Sequence, residues 1–237
     1  MAGSNFETKC PTGIPGFDVL CQGGLVRDSV NVVLGGPGAG KSTFLLQFLW
    51  HGFNDFKENG LFISFEPDIE EIFKDGQNYG WDFASLDNKG KCKFIKVSPK
   101  INIRILKQEL MRSISQFDIK RICIDPISIL LMSIKNEALS REYVFDVTSL
   151  LKRLSVTVLI SDETHDGNIE EYSLGAGESQ TESIKFMSDG LVNLYSSGIG
   201  GETDRALRIT KMRRTDHVRG PVPFKITNKG IVVYSKR

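Results

Sequence analysis

Residues Gly35-Gly36-Pro37-Gly38-Ala39-Gly40-Lys41-Ser42 satisfy the spacing G-x-x-x-x-G-K-[ST] at every fixed position. The chemistry this run can perform is capture of phosphate. Glycines let backbone N–H groups turn inward around an anion, and a helix beginning at the lysine adds its partial positive charge. The lysine supplies a point charge for β- and γ-phosphates, and the serine hydroxyl can ligate Mg²⁺. Gly36, Pro37, Gly38, Ala39, Gly40, Lys41, Ser42 and Thr43 are therefore the candidate phosphate-binding set, with Lys41 also catalytic and Ser42 also a metal ligand. The competing reading is a glycine-rich turn that caps a helix; the lysine, the serine and the strand–loop–helix context favour phosphate.

Two acids stand where they could serve the same anion. Asp125 closes the apolar run Arg121-Ile122-Cys123-Ile124, so it projects at the carboxyl edge of a strand, where open α/β sheets bind ligands. This is a Walker B position, an acid oriented toward Mg²⁺. Glu66 closes Leu61-Phe62-Ile63-Ser64-Phe65 and points to the same edge, where a carboxylate can polarise a water for in-line attack. The alternatives are a turn aspartate before Pro126 and an exposed strand-end acid before Pro67.

Those residues need a parallel sheet to line them up, and the hydrophobic pattern provides one. Short apolar runs at Val30–Leu34, Leu61–Phe65, Cys92–Val97, Arg121–Asp125 and Val156–Ser161 read as buried strands. Between them lie helix-length segments after Lys41 and at Asp68–Tyr79, Ile103–Phe117 and Ser140–Leu154. Ile103, Leu106, Leu110 and Ile114 recur at helical spacing. Strands alternating with such helices predict an α/β fold: a mostly parallel sheet covered on both faces. A polar stretch from Asp162 to Ser188 follows. Four strand-like runs, Leu191–Tyr195, Ala206–Met212, Pro223–Thr227 and Ile231–Tyr234, then predict an antiparallel C-terminal extension at the sheet edge. No domain boundary is visible, and one domain over residues 1–237 is expected.

Composition excludes the extremes. With 237 residues, 30 Lys+Arg against 29 Asp+Glu and 40% hydrophobic residues, the chain can bury a real core and is neither disordered nor fibrous. A net charge of +1 argues against wholesale binding to nucleic acid. No apolar run approaches the ~20 residues of a bilayer span, and the start MAGSNFETKC lacks a signal-peptide pattern. Cys10, Cys21, Cys92 and Cys123 form no C-x-x-C pair, so reduced thiols and a cytoplasmic location are expected.

Taken together, these residues resemble the KaiC-like branch of the RecA/RadA family of ATPases over nearly the full chain. The lead-in Thr12-Gly13-Ile14…Asp18…Gly23-Gly24-Leu25, the P-loop, Phe62–Glu66, Ile122–Asp125 and Lys211-Met212-Arg213 followed by His217 carry the likeness. It implies a RecA-like P-loop NTPase core that binds and hydrolyses ATP with Mg²⁺ as a homo-oligomer, a hexameric ring with nucleotide at subunit boundaries. Lys211 and Arg213 would then reach the neighbour's nucleotide and stabilise charge on its γ-phosphate. Without the resemblance they read as part of a solvated basic strand with Arg205, Arg208, Arg214 and Arg219. Two departures matter. Many KaiC-like proteins carry paired glutamates where this chain has Glu66-Pro67, which implies slow hydrolysis. The Ser/Thr pair that some members phosphorylate aligns with Lys185-Phe186, which disfavours autophosphorylation, although Thr181, Ser183 and Ser188 lie close.

RecA relatives include recombination ATPases that hold single-stranded DNA on axial loops, and such a DNA-handling role is the alternative. Here Asp162–Asp189 holds eight acids, Asp162, Glu163, Asp166, Glu170, Glu171, Glu178, Glu182 and Asp189, against Lys185 and His165, and would repel phosphates. The segment Met132–Glu142 is neutral, with Lys135 and Arg141 against Glu137 and Glu142, and no additional N-terminal DNA-binding domain is expected. A third class is a signalling or assembly module whose nucleotide state governs docking. His51 and His165 have no ligand-like spacing, Trp50 and Trp81 read as core residues, and Ile127–Met132 reads as a buried helix start or a subunit contact.

Overall fold

The computed structural model describes residues 9–134, 136–163, 182–196 and 204–234. Its centre is a nine-stranded sheet. Small elements open the chain: strand β1 (Lys9–Cys10), helix α1 (Phe17–Leu20) and strand β2 (Leu25–Val26), which pairs antiparallel with β1. The alternating units follow as β3 (Val30–Gly35), α2 (Lys41–Phe56), β4 (Asn59–Ser64), α3 (Ile69–Gln77), α4 (Phe83–Asn88), β5 (Cys92–Lys96), α5 (Ile103–Phe117) and β6 (Ile119–Asp125). Next come α6 (Ile127–Met132), α7 (Glu137–Arg153), β7 (Thr157–Glu163), α8 (Glu182–Met187), β8 (Gly190–Ser196), β9 (Arg205–Met212), β10 (Val222–Thr227) and β11 (Gly230–Val233). The strand order is β11-β10-β9-β8-β3-β7-β6-β4-β5.

Six neighbouring strands, β8 through β5, run parallel, and β9, β10 and β11 add an antiparallel extension. The first of the four C-terminal runs thus enters the sheet as a parallel partner of the P-loop strand. Its unbroken burial from Gly190 to Leu194 suits a position flanked on both sides. Helix α8 lies inside the stretch read as merely polar; it is six residues long and seats Ile184 in the core, too little to show as periodicity.

Strand residues alternate between two cores, as their two-residue period requires. Val33, Phe62, Phe94, Leu159 and Val192 face α2, where Phe44 and Phe48 are fully buried; Val32, Ile63, Ile124, Ile160 and Leu191 face α5 to α8. Each such large apolar side chain is worth about 1.5–3 kcal/mol when buried. Trp81 is buried in the first core and Trp50 stacks on it at 6.5 Å, as core residues should. The His51 ring Nδ1 lies 2.6 Å from Asp55, one helical turn away. The lead-in is braced against the same helix. Asp18 accepts from the backbone N–H of Thr12 and Gly13 and from the Thr12 hydroxyl. A Cβ at Gly13 (φ 73°) would fall 2.3 Å from the Cβ of His51. Burial raises the Asp18 carboxyl pKa, against the lowering effect of those bonds.

At the amino edge of the sheet Arg121 is fully buried, bonded to Glu58 at 2.6 Å and to the Phe48 carbonyl at 3.1 Å, with its guanidinium over the rings of Phe48 and Phe56. Glu58 also meets Arg27 at 2.7 Å. Burial alone would raise the Glu58 carboxyl pKa, but the two guanidiniums hold it below the usual carboxylate range. Because folding lowers this pKa, the stability it contributes is present above the unfolded-state value and lost as pH falls through the folded-state value. Glu58→Ala, which leaves a buried cation uncompensated, is expected to cost about 3–5 kcal/mol in urea unfolding. Adding Arg121→Met should restore most of that loss. A Glu58→Ala cost under about 1 kcal/mol would show the pair to be energetically idle.

Among the described residues no helix is long and apolar enough to cross a membrane. All four cysteines are free and buried, and burial raises their thiol pKa values, Cys10 to about 11 and Cys21 to about 12.

Candidate functional site

The P-loop connects β3 to α2 at the carboxyl edge of the sheet, and both ends of the loop are built for close approach. Gly40 has φ 102°, a conformation that favours glycine. A Cβ there would also fall 2.9 Å from Ile226 Cδ1, so the β10–β11 hairpin packs directly under the loop. That hairpin is tied to α2 by Gln47, whose side chain donates to the Ile231 carbonyl at 3.1 Å and accepts from its N–H at 2.6 Å. Gly38, with φ 72°, meets nothing within 4 Å of its Cβ position and is exposed beside Pro37, as a loop open to an anion must be. Ala39 is buried and anchors the turn, and Gly36 is half-buried. Ser42 is exposed in the first turn of α2, and the Thr43 hydroxyl lies 3.4 Å from that of Tyr79.

Lys41 is only 8% exposed. Its amine donates to the Gly35 carbonyl at 2.9 Å and the Gly36 carbonyl at 3.0 Å, and lies 3.8 Å from Glu163 Oε1. Arg205, at the start of β9, donates to the Gly38 carbonyl at 2.6 Å.

Asp125 ends β6 at the same edge, buried, and the Ser161 hydroxyl from the adjacent β7 donates to its Oδ1 and fixes its orientation. Strand β4 stops at Ser64, where the side-chain hydroxyl donates to the Pro67 carbonyl at 2.7 Å and turns the chain. Glu66 therefore sits exposed in that turn, on the same edge, and not as the strand's last residue. With ~4.8 Å between strands, β4 lies three steps, about 14 Å, from β3. A serine hydroxyl and an oriented carboxylate are hard oxygen donors of the kind Mg²⁺ takes, with its remaining positions left to phosphate and water. Among the described residues no cluster of three or more His, Cys, Asp or Glu is assembled, and such an ion needs none.

The structure does not bring Lys211 and Arg213 to this edge. Strand β9 runs antiparallel to β8, so Lys211 pairs with Leu191 and Met212 with Gly190, at the amino edge. A rise of ~3.3 Å per residue along β3 puts them roughly 15 Å or more from their own P-loop. Lys211 donates to the Phe186 carbonyl at 3.0 Å and the Lys185 carbonyl at 3.3 Å, the last turn of α8. Burial pushes its amine pKa down, and the neighbouring Arg213 pushes the same way. Arg213 is 54% exposed and lies 3.7 Å from Asp189, a buried carboxylate that also accepts from Lys152 and from the Val30 N–H.

Glu163, Ser161 and Arg205 carry no motif. The strand-end logic that singles out Glu66 and Asp125 applies to Glu163 equally, whereas the Ser161 and Arg205 contacts depend on strand order. Of the loop acids, Asp166, Glu170, Glu171 and Glu178 lie outside the described residues, as do Lys135, His165 and Thr181.

A protein-family model described as "ATPase: KaiC" matches residues 10–237. The chain is 30% identical over 237 aligned positions to the circadian clock oscillator protein KaiC of Parathermosynechococcus lividus, covering 95% of this chain and 42% of that protein. It is 32% identical over 242 positions to the protein of the same name from Nostoc sp. strain PCC 7120, covering 98% and 45%. It thus spans less than half the length of these curated relatives. Among solved structures, a KaiC-like protein from Pyrococcus horikoshii OT3 superposes with a TM-score of 0.82 at 28% identity, covering 96% of this chain and 99% of that one.

Proposed function

The chain belongs to the KaiC family of ATPases, and from that premise we propose that it binds Mg·ATP and hydrolyses it slowly as a nucleotide-regulated homo-oligomeric ring, a hexamer working in signalling or regulation. In this reading residues 1–237 form one domain and the protein works in the cytoplasm. Gly36, Pro37, Gly38, Ala39, Gly40, Lys41, Ser42 and Thr43 bind the phosphates. Ser42 and Asp125 would hold Mg²⁺, which when bound neutralises charge on the β- and γ-phosphates. Glu66 takes the proton of the attacking water, and Lys211 and Arg213 complete the neighbour's site. The name of these relatives, circadian clock oscillator proteins, supports a regulatory role over a motor or metabolic one.

One observation carries the ring: the two cations of the Lys-Met-Arg motif stand at the sheet edge opposite their own P-loop. Cations so placed can reach a nucleotide only across a subunit boundary, and a site shared between subunits makes hydrolysis depend on assembly. Autophosphorylation finds little support, since Ser183 and Ser188 are buried and the Ser188 hydroxyl already donates to the Lys185 carbonyl.

Titration with a fluorescent ATP analogue tests the base of this reading. Lys41→Ala is expected to weaken binding about 10²- to 10⁴-fold, since a charge-assisted contact of roughly 1.5–3 kcal/mol to each of two phosphates is lost. Unchanged binding would remove the P-loop from the account. Steady-state hydrolysis with and without single-stranded DNA separates the DNA-handling alternative, which would draw on exposed Arg213, Arg214 and Arg219. A rate indifferent to DNA is expected; strong stimulation would favour the alternative.

A further inference from the structure

We propose that Glu163 is the resident counter-ion of Lys41, and that ATP must displace it, so that this carboxylate sets nucleotide affinity. The inference rests on the ATP-binding reading of the P-loop. An ammonium has three N–H donors; two are taken by the Gly35 and Gly36 carbonyls, and the Glu163 carboxylate pairs with the same ammonium at 3.8 Å, an ion pair and not a hydrogen bond. Lys41 is nearly enclosed, so a nearby anion is worth more to it than to a surface lysine.

Glu163 is held in place to serve it. It is the last residue of β7 and pairs across the ladder with Gly35, the residue that opens the P-loop. Its own N–H donates to Oδ1 of Asp162 at 2.9 Å, which fixes the backbone from which the side chain reaches. The side chain is 44% exposed, so it can leave toward solvent when phosphate arrives. The same amine cannot satisfy Glu163 and a β,γ-phosphate pair at once, and a carboxylate left beside the bound phosphates would repel them. Both effects lower affinity, and both grow with the number of phosphates near Lys41. A carboxylate aimed at Mg²⁺ or at the attacking water makes the opposite prediction, because removing it would weaken or leave unchanged the binding of Mg·ATP.

The test measures dissociation constants of ATP, ADP and AMP for wild type, Glu163→Gln and Glu163→Ala, with Mg²⁺ and with EDTA. Both variants are expected to bind ATP and ADP about two- to tenfold tighter in either buffer. AMP, which lacks the phosphates that meet Lys41, should be unaffected. The alanine variant guards against a new hydrogen bond from glutamine, so the gain must appear in both. Raising the salt concentration should shrink the gain, since an ion pair in partial contact with water is screened. Equal or weaker ATP binding in the variants overturns this inference alone. A gain with EDTA that becomes a loss with Mg²⁺ also overturns it, by making Glu163 a metal-side residue. Wild-type protein that binds no nucleotide overturns both this inference and the function it rests on.

Discussion

Glu66→Gln is expected to slow ATP hydrolysis by about 10²- to 10⁴-fold, the usual worth of a positioned general base, while ATP affinity stays within about threefold. Glutamine keeps the size and hydrogen-bonding reach of the side chain and removes only the ability to accept the water's proton. Glu66 is suited to that task by where the turn leaves it: exposed, past the end of β4, on the edge that carries the P-loop and Asp125. Its strand neighbours that of Asp125, with Ser64 and Asp125 in register, so the two acids are close without competing for one position. Pro67 follows, so the next position carries no carboxylate to take over when Glu66 is lost. Single-turnover hydrolysis beside equilibrium binding separates the two effects. A variant that hydrolyses within threefold of wild type would move the base to another residue.

Arg213→Ala is expected to lower hydrolysis in assembled protein by about 10²- to 10³-fold, the loss on removing one preorganised donor from a developing charge, with ATP binding to separated protomers unchanged. The sheet geometry makes this sharper than an ordinary loss of function. Arg213 lies roughly 15 Å or more from its own P-loop, so in the proposed ring each active site would draw Lys41 from one chain and Arg213 from the next. Mixing inactive Arg213→Ala with inactive Lys41→Ala should therefore restore activity, with about a quarter of the interfaces intact by random assortment. Two defects in one self-contained site could not complement in this way. Failure of mixed assemblies to recover would return Arg213 to the role its local contact suggests, a surface cation beside Asp189.

The order of strands and helices through β7 was legible because each strand is a short apolar run between helices of clear period. Helices α4 and α8, six residues each, were not, because they are too short to develop a pattern. Helix α7 begins at Glu137, three residues earlier than its apolar periodicity indicates, with Asn136 as its N-cap accepting from the Leu139 N–H. A cap is a local hydrogen bond, and hydrophobic spacing is blind to it.

The P-loop could be read directly because its function resides in a contiguous stretch of backbone: glycines that permit the turn, a lysine and a hydroxyl at fixed offsets. The acids Asp125 and Glu66 could be read because a parallel strand delivers its carboxyl end to a known edge, Asp125 as the last residue of β6 and Glu66 in the turn two residues past β4. By itself, then, the sequence determined which groups are available and that several of them meet one sheet edge. Which strands lie side by side is a long-range choice that no local pattern encodes. Insertion of β7 between β3 and β6 is what sets Glu163 beside Lys41 and Ser161 beside Asp125. The reversal of direction from β8 to β9 places Arg205 at the P-loop while carrying Lys211 and Arg213 to the far edge. Tertiary structure alone decided these placements, because pairing is selected by burial of whole strand faces, and the charged residues at their ends are carried along.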